Sequence, residues 1–139
     1  MKLDDREQPP AKPKAESNIF FSLPTQGNLW ITYYFYSAKN EAGVFLGYNR
    51  TSQSAVEVIN RIEAERDAIN SEFEKSGLRL AWPRKANGKL EVGTSTQFPN
   101  IRDEQFREKE LKWFSAAINA FVNVFRPRVV SGWDELTAA

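Results

Sequence analysis

Apolar residues in the first third of the chain come in short runs with the two-residue rhythm of β-structure. Asn18 to Leu23 (NIFFSL) predicts a first strand, and Pro24 to Asn28 reads as a turn rich in Pro, Gly and Asn. Leu29 to Ser37 (LWITYYFYS) is dense in aromatic and β-branched side chains and predicts a second strand. Lys39 to Gly43 reads as a hairpin loop, and Val44 to Tyr48 returns as a third strand. On the second strand Trp30, Thr32, Tyr34 and Tyr36 share one face, while Ile31, Tyr33 and Phe35 share the other. With both faces apolar, this strand is expected to be central or to put one face to use.

The rhythm then changes to that of a helix. From Thr51 to Ser76, Ala55, Ile59, Ile62, Ile69 and Phe73 form a stripe that Arg66 interrupts. Ser54 and Glu57 have capping-box spacing, with Thr51 and Ser52 as alternative caps. Gly77 followed by Leu78 suits a Schellman stop. Leu78 to Trp82 alternates again, with Leu78, Leu80 and Trp82 inward. Asn87-Gly88 is a hairpin signal, and Lys89 to Thr96 is the returning strand. Gln97 to Arg102 is a loop. Asp103 to Arg126 predicts a second long helix, capped by Asp103 or Asn100, whose apolar face includes Trp113, Phe114, Ile118, Phe121 and Phe125. Pro127 is expected to end it, leaving Val129, Val130 and Trp133 as a short docking tail. The order β-β-β-α-β-β-α defines an α+β fold, a mainly antiparallel five-strand sheet with two long helices on one face.

Composition sharpens this picture. The length of 139 residues suits one domain. Residues 1–17 are rich in proline and charge and poor in large apolar groups, so they are expected to form a flexible tail or linker, with 18–139 as a single domain. The net charge is +1, so any attraction to nucleic acid must come from local patches. There is no cysteine and no histidine. Disulfides, thiolate zinc sites, cysteine nucleophiles and a Ser-His-Asp triad cannot be built within the chain. No P-loop or dinucleotide fingerprint occurs, so no cofactor is expected. No signal peptide or membrane span is legible, and a cytoplasmic location is the expectation.

The aromatic hairpin LWITYYFYS…GVFLGY, the helix INRIEAERDAINSEFEKSG, the LRLAW segment with Trp82 and the terminal FVNVFRPRV together resemble a bacterial and archaeal family, domain of unknown function 4268. The resemblance covers roughly residues 18–129. It implies an accessory, C-terminal type of domain, in some proteins downstream of a restriction-endonuclease-like domain. The family has no established catalytic or binding residues to transfer.

Two surfaces suggest themselves. Arg79, Arg84, Lys85 and Lys89 cluster at the second hairpin, with Lys75 nearby. Arg102, Arg107, Lys109 and Lys112 mark the start of the last helix, and Arg126 and Arg128 its end. Such side chains neutralise phosphates, although interleaved Glu91, Glu104, Glu108 and Glu110 also suit an ordinary solvated surface. The rings of Trp30, Tyr33, Tyr34 and Tyr36 suit base stacking or an interface anchor. Rings at strand spacing more often pack, which would place Trp30, Tyr34 and Tyr36 beneath the helices. Arg66 is expected to snorkel from the edge of its stripe. The leading expectation is a non-catalytic binding module with nucleic acid as partner. The alternative is a protein-interaction or oligomerisation domain built on the aromatic hairpin. A metal-dependent nuclease is the weakest reading. Its only acid-x-Lys element, Glu110-Leu111-Lys112, falls inside a helix, whereas such a site presents the pair from a strand.

Overall fold

The computed structural model describes residues 3–10, 12–13, 18–100 and 103–138; Arg102 and the remainder of the expected tail lie outside them. Strands β1 (Lys12–Pro13), β2 (Asn18–Ser22), β3 (Leu29–Tyr36), β4 (Glu41–Tyr48) and β5 (Val92–Gln97) pair in sequence order, each antiparallel to its neighbour. Because β1 is a two-residue ladder at the edge, the sheet proper has four strands and not the five expected. The strand order differs as well. The segment expected to supply the fourth strand, Leu78 to Trp82, makes only the isolated bridge Ala81↔Gly93, with a second bridge, Arg84↔Leu90, just beyond it. Leu78, Leu80 and Trp82 are nevertheless buried, as the alternation predicts. Between the two bridges stands Pro83, which has no N–H to give, so no continuous ladder forms. The Trp82 indole N–H instead donates to Asn70 Oδ1 at 2.8 Å, tying the segment to the helix layer.

The first predicted long helix is two helices, α1 (Gln53–Ala64) and α2 (Arg66–Glu74), broken at Glu65. The Glu65 N–H turns to the Ile62 and Glu63 carbonyls, out of the i−4 pattern. Ser52 supplies the cap, its Oγ accepting from the Ala55 N–H at 3.2 Å. At the other end the expected Schellman stop is present. Leu78 N–H reaches the Phe73 carbonyl, Gly77 N–H reaches that of Glu74, and Gly77 has φ +73°.

The last helix, α3 (Arg107–Thr137), runs ten residues beyond the proline expected to stop it. Proline in a helix interior costs ~3 kcal/mol. Past Pro127, however, the helix packs on α1 and buries Val129 and Trp133, which offsets about that amount. The expected docking tail is therefore the last turns of α3. Asp103 caps a short 3-10 turn, Glu104–Phe106, that leads into this helix.

Leu29 and Ile31 of β3, Phe21 of β2, Val44 and Leu46 of β4 and Val92 of β5 face the helices and are buried with Ile59, Ile62, Phe73, Ile118, Phe121 and Phe125. The Phe114 ring of α3 sits 4.2 Å from that of Tyr33, which fixes this as the covered face. Residues 3–10, expected to belong to a free tail, lie along α3. The Asp4 N–H donates to Asn119 Oδ1, Asp5 pairs with Arg126, and Gln8 bridges the Ser22 carbonyl and Arg126. No helix among the described residues is long and apolar enough to cross a membrane.

Candidate nucleic-acid interface

The strand period that sends Leu29 and Ile31 into the core sends Trp30, Thr32, Tyr34 and Tyr36 to the opposite face of the sheet, joined by Phe20 and Phe45 in register with Thr32. These rings do not lie beneath the helices, contrary to the packing expectation; the helix layer is on the other side. Along β3 they recur every ~7 Å. Gly43 lies opposite Tyr34, and Gly47 opposite Trp30. A Cβ on Gly43 would overlap the Tyr34 ring, and one on Gly47 the Trp30 indole. Both rings therefore lie down over bare backbone, one flat face against the sheet and the other turned outward. Beneath this layer Thr32 is only 2% exposed, and its hydroxyl has no hydrogen-bond partner. At the far end Tyr36 is 57% exposed, with Lys39 Nζ 5.8 Å from its ring centroid.

The Tyr34 hydroxyl donates to Glu41 Oε2 at 3.0 Å. Burial, followed by this bond and the charge of Glu41, raises the phenol above its ordinary pKa, so the ring stays neutral. Beside Tyr34 a cleft of about 360 Å³ is lined by Phe45, Arg79, Pro83 and Glu91. Arg79 thus stands next to the ring layer.

The other hairpin cations divide. Arg84 is held by Glu63 and by the Gly88 carbonyl, and Lys85 pairs with Glu91 at 2.9 Å. Both are partly neutralised by carboxylates. Lys89 makes no such pair: its ammonium stands 5.9 Å from the Trp30 ring centroid and 5.5 Å from that of Tyr48. Burial, then the nearby charge of Lys85, lower its pKa, with Arg50 adding in the same direction against Glu91. Arg50, which no sequence motif marked, joins this end of the ring layer. Neither Lys89 nor Arg50 makes an ion pair among the described residues.

The cations of α3 lie elsewhere. Arg107 lines a separate cavity of about 490 Å³ on the helix side, with Ile19, Tyr33, Glu110, Leu111 and Phe114. Burial, then Glu110, push the Tyr33 phenol up to about 12. Arg126 is bound to Asp5 and Gln8, and Arg128 to Glu65 and Glu72. Arg107 and the hairpin cations Arg79 and Lys89 line different cavities. Arg66 is exposed and lies over the Trp82 ring at 5.6 Å, matching the snorkelling expectation. Glu110 and Lys112 are inside α3, and two helical steps turn them ~200° apart. Comparison with protein-family models, curated proteins and solved structures finds no match to the chain.

Proposed function

We propose that this chain is a non-catalytic binding module for single-stranded nucleic acid, which it takes on the helix-free face of its sheet. The observation that carries the reading is the row Trp30, Tyr34 and Tyr36, with Trp30 and Tyr34 lying flat over Gly47 and Gly43. A flat outward ring stacks any base, and such stacking is worth ~1–3 kcal/mol per base. Arg50, Lys89, Arg79 and Lys39 border the row and supply phosphate contacts. A duplex keeps its bases stacked on one another, so the rings favour single strands. Kinship with the domain of unknown function 4268 family, and a place as an accessory domain of nucleic-acid processing or defence proteins, belong to the same proposal and rest on the core motifs alone.

The test is binding of labelled single- and double-stranded DNA and RNA across a salt series. Single strands are expected to bind more tightly than duplexes and to weaken steeply with salt. Tyr36→Ala should weaken them about 5- to 150-fold. No binding at low salt, or binding indifferent to Tyr36→Ala, overturns the reading. Salt-insensitive self-association that Tyr36→Ala abolishes would favour the alternative, a protein-interaction or oligomerisation surface on the same rings.

A further inference from the structure

Where the ring row meets the second hairpin, a cleft of about 500 Å³ opens between Gly27, Trp30, Tyr48, Arg50, Thr51 and Lys89. Its walls are fixed by a chain of hydrogen bonds. Asn49 N–H donates to the Asn28 carbonyl at 2.9 Å, and Asn49 Nδ2 to Asn28 Oδ1 at 3.1 Å. Asn49 Oδ1 in turn accepts from the Thr51 amide and hydroxyl. Tyr48 is anchored from the opposite side, its hydroxyl accepting the Leu90 N–H at 3.0 Å. Arg50 reaches across to the hairpin, donating one Nη1 bond to the Asn87 carbonyl at 2.9 Å and keeping its remaining donors. Gly27, at φ +81°, has open space where a side chain would stand. The cleft therefore places one aromatic face beside two cations that lack carboxylate partners among the described residues.

We infer that this cleft is a nucleoside-phosphate subsite, with the base against Trp30 and the phosphate between Lys89 and Arg50. It rests on the reading of the sheet face as a nucleic-acid platform and names the point where one nucleotide unit is gripped. The Lys89 ammonium stands over the Trp30 ring. Base stacking on a ring is stronger than an exposed cation–π contact. A base entering the cleft displaces the ammonium from the ring, and the phosphate it carries receives the charge. The like charges of Lys85 and Arg50, which disfavour a charged Lys89, are relieved by the same phosphate. A free mononucleotide and a nucleotide within a strand present the same chemistry.

The test is titration of the full chain with AMP, adenosine and inorganic phosphate, following the Trp30 indole N–H by NMR, assigned with Trp30→Phe. AMP is expected to shift that signal and to bind about tenfold more tightly than adenosine. Lys89→Gln and the loop variant Arg50→Ala should each remove most of that advantage without weakening adenosine binding, and Lys89→Gln, which clears the ammonium from the ring, should if anything strengthen it. Equal binding of AMP and adenosine, or an unmoved Trp30 signal, overturns the subsite. Oligonucleotide binding distinguishes the two readings. If AMP moves Trp30 but single strands do not bind, the subsite stands and the strand platform falls. If strands bind through Tyr34 and Tyr36 while AMP leaves Trp30 unmoved, the platform stands and the subsite falls.

Discussion

Glu110 faces the cavity beside Tyr33 with its Oε1 shielded from solvent and without a hydrogen-bond partner. Burial raises its pKa, outweighing the attraction of Arg107. A carboxyl whose folded pKa lies above its unfolded value destabilises the fold at neutral pH. Glu110→Gln is therefore expected to raise the unfolding midpoint at pH 7. That gain should shrink as pH falls through the raised folded pKa, and should be gone below the ordinary glutamate value of ~4.3. Thermal melts of both proteins across that range check it, and a gain that persisted in acid would assign it to packing instead. At this scale the sequence was legible in one respect and silent in another. Alternation assigned Trp30, Tyr34 and Tyr36 to one face and Ile31 and Tyr33 to the other. Both faces are apolar, so alternation alone does not say which one the helices take. The pointer was in the partner strand. Gly43 and Gly47, four residues apart on the same face as those rings, leave room for rings to lie down where side chains would otherwise stand.

Elements were legible where a local device sets them. The Gly77 stop, the Asn87-Gly88 turn with Gly88 at φ +86°, and the aromatic strand β3 each have a cause within a few residues. They were illegible where distant packing overrides a local rule. Pro127 reads as a terminus because a proline lacks the N–H that the Asn123 carbonyl would accept. Nothing near it in sequence reveals that Val129 and Trp133 will be buried, or that Gly132 will lie buried near Val58 of α1. The Leu78 to Trp82 segment shows the converse. Its alternation is obeyed, but a strand also needs a partner along its length, and Pro83 interrupts the approach to β5. If burial alone carries α3 past the proline, Pro127→Ala restores a hydrogen bond without altering the packing. The variant is expected to be more stable by ~1–3 kcal/mol, with an unchanged dependence on urea. A loss of stability would mean that the proline itself is needed to seat Trp133.

The whole molecule divides its work between two sides of one sheet. The side toward the helices holds the large buried side chains and the contacts of residues 3–10 with α3. The other side holds the rings, with Arg79 at one flank and Lys89 and Arg50 at one end. A net charge of +1 gives no long-range pull, so the proposed binding would rest on that local arrangement. If the sheet is a rigid partition, a change on one side leaves the other unaltered, because effects at sites without shared partners add. Ile118→Val, in the core of α3, should lower stability by ~0.5–1.5 kcal/mol and leave the affinity of folded protein for single strands unchanged. Tyr36→Ala, on an exposed ring, should weaken strand binding while moving stability by no more than ~0.5 kcal/mol. The double variant should show the sum of the two, in both affinity and urea stability, within ~0.5 kcal/mol. A larger coupling would show that binding on the ring face is transmitted through β3 into the helix layer, and that the sheet takes part in recognition instead of only supporting it.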